Sequence, residues 1–599
     1  MFRNLLLTSV AVVTISTLSA CGGGEDDAPT APTGTEATAS ANAGTTGTVA
    51  NQPTIAGTAT QPGPDEYWLP RPPNAWTDLI LPRLFHVGLT PACHNCGAID
   101  AHTYSPEKGV GIWQRANNYG VPVDVPVIIN GLTGQDVTLT FTNVAKGPKD
   151  MPPITLASEQ TSRPSANVLR SQMVSGHEGH GGHGVRDAEL RREMDEFSRT
   201  GWLELAAKLK AAPQSAPLYS ERRTSVNDRK TWYAIRDRSF QAQLVRQFST
   251  SDGTTVNIWV EDGEYVPGKI TDEIIGKLGG WFVDPGKIYD LVKSAGGPLW
   301  GPHYLSGLMV QEGQPFDIVI ENIQPRGYAS GYFTPRDLFR HSRLLSPTAN
   351  GALAVHLDSE ELYAGGEKGL KDMAATLAHE ATHLQNFYRR TLKMGFLNMN
   401  DVWLEEMSAM MMMDYATHVV DPDISIVRDY LFGSYIYGEG MYNCGLTQWT
   451  MDHPSCHPYA VAGSFGAFLN RQLGIGFYRN LLNATRETTS LHMMDKTIRA
   501  ATGNAGFDEM FRRFTATTGG MIKAGAEPAG YGFPARVEGG FTLAKIDPQA
   551  FAPTRTLVSK VPAQLQPLAS LPIVRPKVDG YFWETVKVPP GTVLTVVVQ

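Results

Sequence analysis

Residues 375–390 read ATLAHEATHLQNFYRR, and residues 400–414 read NDVWLEEMSAMMMMD. Around the first stretch, Leu370, Met373, Ala374, Leu377, Ala378, Ala381, Leu384 and Phe387 recur at steps of three and four. That spacing puts one apolar stripe of a helix into a core. No Pro or Gly interrupts it from Leu370 to Met394. His379 and His383 then share one face a turn apart, so both imidazoles can reach a single ion at about 2.0–2.1 Å. Glu380 lies between them, beside the ion instead of on it, where a carboxylate can serve as general base toward water.

A His-Glu-x-x-His match also arises by chance on plain surface helices, so the second stretch decides. Asn400 or Asp401 can cap a new helix that carries Glu405 and Glu406. A helix, a reversal and an antiparallel helix can return Glu406 to the histidine pair. A ligand immediately downstream on the first helix could not close a tetrahedron. Glu405 competes for the same position.

These residues resemble the gluzincin metallopeptidases and, more closely, the hyicolysin-type family of secreted bacterial neutral proteases. Ala378 to Phe387 is similar to that family's Ala-His-Glu-x-x-His-x-x-Asn-Phe helix, Leu404 to Ser408 to its Glu-bearing helix, and Gly331-Tyr332-Phe333 with Asp337 to its upstream segment. The resemblance covers about residues 230–530. It implies an α+β chain with a zincin (thermolysin-like) catalytic domain, a mixed sheet and active-site helices. It further implies Zn2+ held by His379, His383 and Glu406, the Trp-Leu-x-Glu phasing favouring Glu406 over Glu405. Glu380 would take a proton from water and pass it to the leaving amine. Metzincins are disfavoured, because Asn386 and Arg389 stand where their Gly and third His would be. The chain departs from the commonest gluzincin pattern at Met410, where an Asp would orient a ligand histidine; Asp414, two turns beyond Glu406, is the nearest substitute. For the oxyanion donor that acyl chemistry needs, Tyr459 resembles the Tyr opening a helix beyond the third ligand in gluzincin aminopeptidases. His453 and His457 are rivals in the same loop. The implied function is hydrolysis of peptide bonds in a protein or peptide substrate. A non-catalytic surface adhesin or binding lipoprotein on a protease-like scaffold is the alternative. A zinc scavenger using His177, His180 and His183 is a third reading, although Gly-rich backbone there suits a solvated linker better.

The amino terminus has Arg3, an apolar run from Leu5 to Leu18, and then Leu18-Ser19-Ala20-Cys21. It reads as an export signal (1–21) and resembles a lipobox in which Cys21 is acylated. The run is short of the about 20 residues a transmembrane helix needs. Gly22 in place of an Asp points to an outer-membrane lipoprotein. Residues 22–64 are mostly Gly, Ala, Thr, Ser and Pro, which cannot bury enough apolar surface to offset ordering entropy. They read as a disordered tether.

The rest divides into a β-rich module (65–170), a His/Gly-rich linker and helix (171–229), the peptidase domain (230–530) and a second β-rich module (531–599). Alternation in Val121 to Val127, in Asp136 to Phe141 and in the tail from Leu557 to Gln599 supports the two β-rich parts. Ala352 to Leu357 is expected as the sheet's edge strand, where an extended peptide would add. Met410 to Met413 read as helix core. Net charge is −8 with a pI near 6.0, which gives no reason to expect nucleic acid. Beyond Cys21, Cys93 with Cys96 and Cys444 with Cys456 are the local disulfide pairs suited to an oxidising compartment. The expected chain is a monomer whose membrane contact is through the lipid anchor alone.

Overall fold

The computed structural model describes residues 88–157, 196–211, 224–235, 238–323, 330–343, 346–438, 441–449 and 456–599. Cys21, the tether, His177, His180, His183 and His453 lie outside them.

A six-stranded mixed sheet runs in the order Arg229–Tyr233, Ser239–Ser249, Thr255–Glu261, Phe316–Glu321, Leu353–Asp358, Gly331–Tyr332. The first three strands are antiparallel neighbours, the next two join in parallel, and Gly331–Tyr332 returns antiparallel to Leu353–Asp358. Leu353–Asp358 is therefore an interior strand and not the edge that its position before the motif helix suggested. Every one of its residues is buried, the pattern of a strand covered on both faces. The edge is the two-residue strand Gly331–Tyr332. A Cβ on Gly331 would come within 2.8 Å of the His356 carbonyl and 3.2 Å of Thr376 on the motif helix, so only glycine lets this strand lie so close.

On one face, helices Asp272–Val283, Ile288–Gly296 and Gly366–Asn386 share a core with Ile318, Val355 and Leu357. Gly366–Asn386 is the motif helix; a π-helical stretch, Phe387–Lys393, extends it. Gly395, at φ 95°, turns the chain back into the helix Val402–Val420. Met410 to Met413 are buried in that helix. They pack under the helix Pro458–Asn483, where a Cβ on Gly466 would stand 2.8 Å from Met411 Cγ. Small residues thus let the two helices close. Trp202, in the helix Trp202–Ala211, is fully buried and meets Phe387 edge-on at 5.5 Å.

The regions before and after this unit, expected as two β-rich modules, pair into one five-stranded sheet. Its order is Thr90–Pro91, Gly111–Ala116, Thr592–Val598, Val123–Asn143, Ala569–Val588. Asn143 faces both Ala569 and Thr592 in register. The long strand bends at Gly131 and Gly134, both at positive φ, so that Val127 and Leu139 enter one core. The helix Phe507–Gly520 seats this sheet on the helical unit, with Thr515 and Thr142 hydroxyls 2.6 Å apart. The Cys93–Cys96 and Cys444–Cys456 bridges are both formed.

Candidate metal centre

The reversal at Gly395 lays the two long helices side by side and brings His379, His383 and Glu406 together. The two imidazole Nε2 atoms are 3.0 Å apart, and Glu406 Oε2 lies 3.2 Å from His379 Nε2 and 3.5 Å from His383 Nε2. Donors held at 2.0–2.1 Å around a common tetrahedral centre stand about 3.3 Å from each other, so the triangle has the size one divalent ion requires. Glu406 Oε2 is buried and, apart from the two imidazole Nε2 atoms, meets no hydrogen-bond donor among the described residues, which suits it to a cation.

Charge in the cluster points the same way. Burial pushes the His383 imidazole down, yet the charge of Glu406 and the hydrogen bond to Glu405 hold it well above its ordinary value. Burial likewise opposes the Glu406 carboxylate, but His383 and His379 keep it well below the usual carboxylate range. Carboxylates that outweigh burial around these imidazoles give the pocket surplus negative charge, which a dication can neutralise.

Glu405 takes a different part from its neighbour. Its Oε1 accepts His383 Nδ1–H at 3.0 Å and Asn386 Nδ2–H at 3.0 Å, and its Oε2 accepts Asn400 Nδ2–H at 2.8 Å. With Nδ1 committed as donor, Nε2 of His383 presents its lone pair to the triangle. Asp414 does not substitute for this group; it is paired with Arg471. Met410 is core. His379 Nδ1 has no hydrogen-bond partner among the described residues, so one imidazole is braced and the other is held by packing. Glu405→Gln should weaken the ion's binding by about tenfold or more while the fold persists. Competition with a chelator of known affinity measures this, and an unchanged constant would remove Glu405 from the ion's support.

Glu380 lines the same cleft, about 100° around the helix from His379. Burial raises its pKa, the charges of His379 and His383 lower it, Glu406 raises it, and the Phe333 backbone N–H steadies the ionised form. Gly331, Tyr332 and Phe333 form one wall, and Tyr459 and Trp449 another, their rings edge-on at 4.9 Å. His457 instead caps the helix Pro458–Asn483, its Nδ1 accepting Ala460 N–H at 3.1 Å. Ser198 and Arg199 also line the cleft.

Residues 237–599, more than half of the chain, match Peptidase M30. The protein belongs to that family. The M30 match runs on through the carboxy-terminal strands, well past the stretch near residue 530 where the peptidase domain was expected to stop. Residues 91–156, which supply the partner strands of the same sheet, match a domain of unknown function, DUF8571. The neutral metalloprotease ShpI of Staphylococcus hyicus is 26% identical over 211 residues, which is 34% of this chain and 45% of that protein. The chain thus matches less than half of that relative's length. The matched family is a peptidase family, and the relative is by name a neutral metalloprotease.

Sequence reading did not find the roles of Glu405 or the Gly331–Phe333 wall. A signal for Glu405 existed: Asn386 sits one turn after His383, on the face where a carboxylate would need a second donor.

Proposed function

We propose that this M30 protein is a zinc-dependent endopeptidase, held at a membrane by a lipid on Cys21, with His379, His383 and Glu406 as metal ligands in a zincin-type domain. The observation that carries the reading is the triangle of 3.0, 3.2 and 3.5 Å with Glu380 beside it. A zinc ion held there supplies Lewis acidity to water and to the scissile carbonyl, which is what makes hydrolysis feasible near pH 7.

The chain's own residues do the rest. An extended peptide adds antiparallel to Gly331–Tyr332, whose outer side pairs with no strand among the described residues, and this fixes the scissile bond over the ligand triangle. Glu380 takes the proton of the attacking water and delivers it to the leaving nitrogen. Its burial favours the protonated form and the neighbouring imidazoles favour the ionised one, a balance suited to a group that must do both. Tyr459 offers a hydroxyl toward the developing oxyanion. The membrane attachment rests on Leu18-Ser19-Ala20-Cys21. No described helix is long and apolar enough to cross a membrane.

One fractionation tests both parts. Caseinolytic activity should sediment with the membranes of expressing cells, vanish under a zinc-selective chelator and return with added zinc. Cys21→Ser should carry the same activity into the soluble fraction. Activity that survives chelation rejects the metal, and activity that stays sedimented in the variant rejects the anchor.

A further inference from the structure

Behind the edge strand lies a charged cluster that the proposed chemistry does not use. His356, in the interior strand Leu353–Asp358, is completely buried. Its Nδ1 is 2.7 Å from Glu321 Oε1 and its Nε2 is 2.9 Å from Asp337 Oδ2. Both ring nitrogens face carboxylate oxygens, so both donate and the ring is an imidazolium. Tyr332 of the edge strand lies flat on that ring, with centroids 4.5 Å apart and planes 7° apart. The Tyr332 hydroxyl donates to Glu321 Oε1 at 2.6 Å. Asp337 belongs to the turn Pro335–Leu338 that follows the edge strand, and its other oxygen accepts Asn350 Nδ2–H at 2.6 Å. One buried cation therefore binds both the strand and the turn that leaves it.

We propose that His356 is a positioning residue for substrate: its imidazolium ties Tyr332, through Glu321, and Asp337 to the sheet, and so holds the Gly331–Phe333 backbone where an extended peptide pairs with it. This rests on the peptidase reading above. The strand's own ladder is weak, since two residues of antiparallel pairing contribute little, so it depends on ties such as this one. Gly331 is wedged between the His356 carbonyl and Thr376 of the motif helix, so displacement of the strand reaches the cleft directly.

The charged groups around His356 include Lys230 of the strand Arg229–Tyr233, whose ammonium sits over the Trp232 ring, donates to the Asn350 carbonyl at 2.9 Å and interacts with the charge of Asp337. Glu321 and Asp337 face it. Arg238 donates to Glu321 Oε2 at 2.6 Å and to both oxygens of Glu261 at 2.6 and 2.9 Å, balancing the far side of the cluster. Trp232 closes the opposite side edge-on at 6.0 Å. Arg336 spends its guanidinium on the carbonyls of Tyr233 and Ala234. Burial pushes the imidazole down, but Asp337 and Glu321 outweigh it and raise the pKa from 6.5 to about 9. The raised value means that the stability gained from this cation is complete below 6.5 and lost as pH climbs through about 9. The tie to the strand holds over the same range up to about 9 and then loosens.

The test is steady-state cleavage of an internally quenched extended peptide by the full chain loaded with zinc. His356→Gln should raise KM by about tenfold, with kcat changed less than about threefold and bound metal unchanged. Wild-type KM should rise as pH passes about 9, and the variant should lack that rise. Tyr332→Phe, which keeps the stacked ring and deletes only the hydroxyl tie, decides the matter if His356→Gln does not fold; it should raise KM by about threefold. An unchanged KM in the variant that folds, or a wild-type KM flat through pH 9, overturns the role of His356. Failure of the wild-type chain to cleave any peptide rejects the peptidase reading itself, whereas normal wild-type cleavage with an unaltered variant KM rejects only this inference.

Discussion

Glu380→Gln should lower kcat/KM for peptide cleavage by about 10²–10⁴-fold, the range a general base contributes, and leave one equivalent of metal in place. Glu380 is 7% exposed and lies between the two histidines, next to His379 and three residues before His383, but it is not a member of the ligand triangle. Glutamine preserves its volume and can still accept the Phe333 N–H that steadies the carboxylate. What it cannot do is take a proton from water. Metal analysis and kinetics on one preparation check the result. Retained cleavage would show that another group serves as base, and loss of metal with loss of activity would place Glu380 among the ligands instead.

The contrast between Glu380 and its neighbours shows what one sequence can resolve. The motif helix was legible because its apolar stripe fixes its rotation, and rotation fixes where His379 and His383 point. The same periodicity could not divide the labour of Glu405 and Glu406. Successive residues on a helix point about 100° apart, and both directions fall within the cleft; only the depth of each side chain, set by Asn386 and Asn400 reaching Glu405, separates them. The edge strand was missed for another reason. Two residues cannot display an alternation, so Gly331–Tyr332 left no pattern, while the fully buried run Leu353–Asp358 announced a strand without saying where in the sheet it lay. The flanking sheet was half legible. Alternation identified the strands near Val127 and those at the carboxy terminus, but a face pattern names no partner, and the pairing of Asn143 with both Ala569 and Thr592 spans most of the chain.

Asp414→Ala should destabilise the protein by about 3–5 kcal/mol, the cost of stranding a buried charge, without altering the metal affinity of the molecules that remain folded. By position, Asp414 invites the opposite expectation, since it lies on the ligand helix two turns beyond Glu406. Eight residues at about 100° each leave it roughly 80° away from Glu406 around the axis, directed at the helix Pro458–Asn483 and not at the cleft. There both it and Arg471 are completely buried, joined by contacts of 2.7 and 3.2 Å. Asn470 adds a third at 3.2 Å, and Arg471 Nε donates to the Ala544 carbonyl at 2.9 Å. Alanine would leave that guanidinium with carbonyl partners only, in a core of methionine and phenylalanine. The double variant Asp414→Leu with Arg471→Met removes both charges and should recover most of the loss, because an apolar pair of similar size does not carry the desolvation penalty of the ions. Thermal unfolding of the apo and zinc-loaded forms separates the two ideas. If Asp414 served the ion, Asp414→Ala would narrow the gap in melting temperature between those forms; if it serves the helix pair, both melting temperatures fall together and the gap stays. A narrowed gap at undiminished apo stability would return Asp414 to the metal centre and leave Arg471 without an explanation for its burial.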